Sequence, residues 1–262
     1  MISHQYFREY RNSLGFSRQE DAKKFFGAKD IAPGVDLEYI KLLNERLCTI
    51  VDKLDSVVAE EIKGEDIESF KQEYIHKPFK LLRQNDVLRA LNNQGRRPEQ
   101  VYFSWMRGYV ATNYFSKALS MVFEVDAESI TQIGDDDLAK IDTFKRTPKA
   151  DLEIDMGGKE ALRIEVQSGF TGINDIKQHK VLEAKRVFND SGINSLAVHF
   201  DLYNGQAAFI KLHDIEDTSV NWITRQQMEG QTVFNIDQNC FVWKITEAPI
   251  KYREIKFESM FI

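Results

Sequence analysis

Residues 148–169 read PKADLEIDMGGKEALRIEVQSG, two short runs of alternating apolar and polar residues on either side of Gly157-Gly158. Leu152 and Ile154 alternate with Asp151, Glu153 and Asp155. Leu162, Ile164 and Val166 alternate with Arg163, Glu165 and Gln167. Strict alternation marks a half-buried strand, because successive side chains point to opposite faces. Two such runs around a Gly-Gly turn predict an antiparallel hairpin. With the turn near Gly158, Asp151 comes opposite Glu165 and Asp155 opposite Ala161. The acids then share a face with Arg163 and Gln167, while the aliphatic residues enter a core. A one-residue slip would turn the aliphatic set to solvent, so the register is well specified.

In that register Asp151 and Glu165 lie ~5 Å apart at Cβ, and like charges so close repel unless a cation sits between them. A hard divalent ion such as Mg²⁺ takes carboxylate, carbonyl and water oxygens and suits the pair. The plain alternative is a solvated ribbon face. Glu153 and Asp155, nearer the turn, fit that alternative, and an exposed pair of Arg163 with Glu153 or Glu165 would add at most ~1 kcal/mol.

Outward from the hairpin the pattern changes. Residues 1–93 read as helical, with Leu37, Ile40, Leu43, Leu47, Ile50, Val51, Leu54 and Val57 at helical spacing and a second helical pattern in FKLLRQNDVLRAL. NNQGRRPEQ (92–100) is a break. Residues 101–123, apolar nearly all round, predict a central buried helix. Arg107, Asn113 and Lys117 within it argue against a membrane span. Beyond Gly134, SLAVHFDL, AAFIKL and CFVWKI read as further strands, with a tight turn at Tyr203-Asn204-Gly205. One long helix is predicted over 174–188, with Asn174 as its N-cap. The expectation is a mixed α/β fold in a single unit, 1–262, with a helical N-terminal region over 1–98 and an α/β core over 99–262.

The chain has 262 residues, a formal net charge of −6, 42% hydrophobic and 29% charged residues. Such a balance fits a globular protein and gives no bulk basic signal for nucleic acid, though a local basic channel is compatible with it. The two cysteines, Cys48 and Cys240, show no metal-binding spacing. With no apolar leader at the start, a reducing, cytoplasmic setting is expected.

Pro148, Asp151 and Glu165-Val166-Gln167, on a hairpin followed by a helix, resemble the active site of the PD-(D/E)XK nuclease superfamily. The resemblance covers residues 148–188 and is nearest to type II restriction endonucleases that carry Gln or Glu where others carry Lys. It implies a restriction-endonuclease-like mixed β-sheet core flanked by helices, and a Mg²⁺-dependent, sequence-specific endonuclease acting on double-stranded DNA. By the same resemblance Asp151 and Glu165 are catalytic metal ligands, the main-chain carbonyl of Val166 is a third ligand, and Gln167 stands at the position of the motif lysine. Lys177 or Lys180 on the following helix would then supply a cation. A homodimer, matching a palindromic site, is also an expectation from the resemblance.

Backbone contacts to DNA are expected from Lys145, Arg146 and Lys149, which lead into Asp151. Ser168 and Thr171, in the loop after Gln167, and Lys177 and Lys180 are further candidates. Each basic residue taken alone reads more readily as a solvated surface than as a DNA contact. Two alternatives stay open: another nuclease of the superfamily, for repair or for resolving junctions, and a non-catalytic DNA- or protein-binding module in which Gln167 marks a decayed site.

Overall fold

The hairpin forms with the predicted register. In this computed structural model, which describes residues 2–28, 30–31, 34–64, 66–91, 96–134, 138, 141, 149–158, 160–225 and 230–257, strand β2 is Leu152–Asp155 and strand β3 is Ala161–Gly169. Leu152 pairs with Ile164, Glu153 with Arg163, Ile154 with Leu162 and Asp155 with Ala161. Gly157 and Gly158 turn the chain at φ +82° and +64°, values that suit glycine.

A short strand β1 (Ile130–Gln132) pairs with β2 on its outer edge. Beyond β3 lie β5 (Asn194–Asp201), β6 (Gln206–Lys211) and β9 (Phe241–Lys244). The order is β1-β2-β3-β5-β6-β9. Among these pairs only β3 and β5 run parallel. A parallel pair needs a crossover, here made by strand β4 (Asp175–Lys177) and helix α9 (Gln178–Ser191). β4 joins a second sheet, β4-β8-β7, with β7 at Ile223–Arg225 and β8 at Gln231–Asn235.

The expected helix over 174–188 therefore starts later than predicted. Asn174 does not cap it; Lys177 precedes the first turn and makes no side-chain cap. The Asn174 side chain is occupied instead by His199 and Asp201, contacts that local sequence does not reveal. The expected single helix over 101–123 is two, α7 (Pro98–Tyr114) and α8 (Ser116–Phe123), interrupted at Phe115.

The N-terminal region is helical: α1 (His4–Ser13), α2 (Gln19–Phe26), α3 (Leu37–Asp55), α4 (Ile67–Lys71), a π-helical turn at Gln72–His76, α5 (Lys77–Gln84) and α6 (Val87–Ala90). The Asp36 carboxylate accepts the Tyr39 N–H and starts α3, which buries Ile40, Asn44, Leu47 and Val51. One apolar cluster runs from Ile40 in α3 through α7, α8 and the main sheet to Ile255. By contrast α1 buries none of its residues. No helix among the described residues is long and apolar enough to cross a membrane.

The main sheet lies between two helical layers. Ile164, Leu196, Val198 and Phe200 are fully buried beneath α7 and α8, where Phe200 stacks on Phe115 with ring centroids 4.0 Å apart. The opposite face carries Arg163, Glu165 and Gln167 in register with Ser195, Ala197 and His199, and α9 lies across it. Phe200→Ala is expected to cost roughly 3–5 kcal/mol. A urea series should show the unfolding midpoint falling with its slope unchanged.

Candidate functional site

The two strands of the hairpin part company at Asp151. Its N–H donates to the Ile164 carbonyl at 3.1 Å, one residue off the regular ladder. The next inward-facing amide of β3, Val166 N–H, would regularly reach the carbonyl of Ala150. It bonds instead to Asp151 Oδ2 at 2.7 Å. A carboxylate thus replaces a main-chain acceptor where β2 peels away. Within a strand the N–H and C=O of one residue point the same way, so the Val166 carbonyl faces the same opening. Just past β1, Ile133 N–H fixes the Asp151 carbonyl at 2.9 Å.

Glu165 is 7% exposed. A buried carboxylate is costly unless paired, and here Lys180 Nζ lies 2.7 Å from Oε2. The same ammonium donates to the Lys149 carbonyl at 3.0 Å. The Gln167 side chain, two residues on along the same face, favours the charged form of Glu165. Burial pushes the Glu165 carboxyl above the usual carboxylate range, while Lys180, Gln167 and Lys177 pull it down. Lys180 reaches Glu165 because the crossover folds the first turn of α9 back over β3.

Other acids of the hairpin are accounted for differently. Glu153 pairs with Arg163 across the strands at 3.2 Å. Asp155 is exposed and accepts the Gly157 N–H at 2.8 Å, bracing the turn. Neither faces the opening at Asp151.

The structure brings Asp151, Glu165, Val166, Gln167, Lys149 and Lys180 together. Ser168 lies just beyond on β3, half-buried, and Thr171 is exposed in the loop that follows. Lys177 ends β4 next to α9. Lys145 and Arg146 lie outside the described residues. Basic residues elsewhere are engaged: Arg97 is tied to Glu99, which is fully buried and also takes the Asp36 N–H, so it joins α7 to α3. Arg186 is engaged by Glu183 and Asp190 on the surface of α9.

Sequence reading passed over a polar cluster at the far end of β3. Asp201, fully buried, accepts from Asn174 Nδ2 at 3.0 Å, Asn204 Nδ2 at 2.6 Å and Gln206 Nε2 at 3.2 Å. Because Asn174 Nδ2 is spent on Asp201, its Oδ1 faces His199 Nε2 at 2.8 Å, and the imidazole must carry its proton there. Burial depresses His199 to about 4, against a weaker upward pull from Asp201 and Asp175. Gly169 lies against this cluster. A Cβ on it would stand 2.6 Å from Asn174 Oδ1, so the close approach of strand and loop requires glycine. His199 and Asp201 within the largely apolar run SLAVHFDL were the available signal.

Comparison with known proteins adds little. No family model and no curated protein sequence matches the chain. One solved structure similar to part of it is a Holliday junction resolvase from the hyperthermophilic archaeon Archaeoglobus fulgidus. The identity is 13%, the match covers 43% of this chain and 76% of the resolvase, and the TM-score is 0.29. At that score the likeness carries no functional conclusion.

Two outcomes follow from the electrostatics. Lys180→Met leaves Glu165 buried and unpaired, which is expected to destabilise the protein by about 3–5 kcal/mol at neutral pH. The variant's Glu165 is then raised further above its unfolded value. The stability difference from wild type should therefore shrink as pH falls toward ~4.3, the unfolded value for glutamate. Separately, His199 titrates at about 4 when folded and near ~6.5 when unfolded. Its contribution is complete above ~6.5 and is lost as pH falls toward 4, by roughly 3 kcal/mol. Chemical denaturation across that range should show the slope, and His199→Gln should flatten it.

Proposed function

We propose that the chain is a divalent-metal-dependent nuclease of the PD-(D/E)XK type that hydrolyses phosphodiester bonds in double-stranded DNA. The observation that carries this reading is the parting of the hairpin at Asp151. There a carboxylate held by the Val166 N–H stands beside a buried, lysine-paired Glu165. An ordinary solvated ribbon has no reason to bury one of its acids.

The donor set fits Mg²⁺. Two carboxylates and the Val166 carbonyl are all oxygen, and Mg²⁺ keeps several waters and needs few protein ligands. Among the described residues no three or more His, Cys, Asp and Glu gather into a cluster. Asp151, Glu165 and Val166 would hold the ion without further help from side chains. Bound there, Mg²⁺ stabilises charge on the phosphoryl oxygens and lowers the pKa of a bound water.

The protein's own groups do the rest. Asp151, positioned by the Val166 N–H, would turn its carboxylate to the cation. Gln167 holds Glu165 in place and is able to orient a water through its amide. Lys180, from α9, supplies next to Glu165 the positive charge that the superfamily places at the position of Gln167. Lys149, Ser168, Thr171 and Lys177, with Lys145 and Arg146, are assigned to the DNA backbone. Cleavage at specific sites by a homodimer, as in type II restriction enzymes, is the finer form of the proposal.

Purified protein incubated with phage-sized duplex DNA and Mg²⁺ should give discrete fragments, and EDTA should abolish them. Asp151→Ala and Glu165→Ala should each lower the rate by at least about 10³-fold. Lys180→Met, at a pH where it remains folded, should lose roughly 10²–10⁴-fold. A smear would remove site specificity, and cutting of branched DNA alone would replace the restriction reading by a junction-resolving one. If folded wild-type protein cuts neither kind of DNA with Mg²⁺ or Mn²⁺, the nuclease reading fails. Sedimentation of the active species should give twice the chain mass.

A further inference from the structure

Arg107 lies in the middle of α7, on the face of the sheet away from α9. Its guanidinium is clamped between two rings, Phe103 at 5.1 Å and Phe170 at 4.6 Å from Cζ to centroid. Nε is buried and has no hydrogen-bond partner among the described residues. No carboxylate among those residues pairs with it. Burial and the neighbouring charge of Arg96 both disfavour its charged form. The two ring faces stabilise the cation but do not neutralise it, and beside a second cation an anion would lower its energy further.

The position is as telling as the charge. Phe170 follows Gly169 directly, at the end of the strand that carries Glu165 and Gln167. Farther along α7, Asn113 Oδ1 accepts from Gln132 Nε2 at 3.2 Å, on the strand that abuts Asp151. Arg107 and Asn113 are separated by ~9 Å of helix rise. The cation thus lies over the C-terminal end of β3, the strand that carries Glu165, on the side not covered by α9. The two rings hold the guanidinium in place, and with Nε buried it is the two Nη groups that would meet phosphate oxygens.

We infer that Arg107, clamped by Phe103 and Phe170, is a contact for the phosphate backbone of DNA flanking the Asp151–Glu165 site. The inference rests on the nuclease reading for its substrate, but its test does not depend on cleavage. Binding of a labelled duplex in EDTA is measured over a range of salt for wild type, Arg107→Met and Arg107→Lys. Arg107→Met should weaken binding roughly tenfold to a hundredfold and reduce the slope of log Kd against log salt by about one. Arg107→Lys should keep the slope and lose part of the affinity. The thermal midpoint of Arg107→Met should match or exceed that of wild type.

Should Arg107→Met fold poorly, wild-type protein decides the matter. Modification by an arginine-specific dicarbonyl reagent, mapped by mass spectrometry, should reach Arg107 in free protein and be blocked by duplex DNA. An unchanged salt slope in Arg107→Met, or no protection by DNA, overturns the inference even if the protein cleaves DNA. Equal protection by inorganic phosphate at the same phosphate concentration means a small-anion site and also overturns it. DNA binding with the expected slope but no cleavage leaves Arg107 as assigned and removes the nuclease.

Discussion

A carboxylate taken out of water must find a compensating charge, and the Glu165–Lys180 pair is where this fold meets that requirement. The two residues belong to different elements, strand β3 and helix α9. Their 2.7 Å contact fixes how closely the helix lies on the sheet. Lys180 also bonds the Lys149 carbonyl, so one ammonium ties the helix, the strand and the segment entering the hairpin. Displacing it would loosen all three. The same pair marks the spot where a charged substrate group or ion would be most strongly felt, since the surroundings there screen charge poorly.

The second element of the arrangement is an irregularity. A hairpin paired along its whole length would have no room beside Glu165. Replacing one main-chain acceptor by the Asp151 carboxylate keeps the Val166 amide satisfied while the strand bends off. The opening is therefore made without leaving a buried donor unbonded, a condition that native folds rarely violate. Irregular strand ends of this kind recur beside active sites because they re-aim side chains.

Much of this was legible in the residues. The period-two alternation of 151–167 specified the strands, their register and the face of each acid. The crossover helix was legible too, but not its first residue. Asn174 looks like an N-cap in sequence, and only the packing of β5 shows that His199 and Asp201 claim its amide. Strands β1, β4 and β7, of three residues each, are too short to show a period, and β8 carries only Val233 and Phe234 as buried residues. Lys180 was visible as one basic residue among several on α9. Its pairing with a residue fifteen positions away depends on the crossover geometry, which local pattern does not encode. Arg107 read as a polar interruption in an apolar helix, and its two aromatic neighbours come from different elements.

The connectivity of the site also sets an order of assembly. Asp151 and Glu165 are joined by a tight turn, so the cost in chain entropy of bringing them together is small. Lys180 reaches Glu165 only when α9 docks, and β5 can pair with β3 only after residues 170–193 have been gathered into the crossover. Closing that longer segment is slower and costs more entropy. The acids thus meet while still hydrated, where their repulsion is weak, and are withdrawn from water only as their counter-charge arrives. A chain that joined the same groups in the reverse order would have to desolvate a carboxylate before it had a partner.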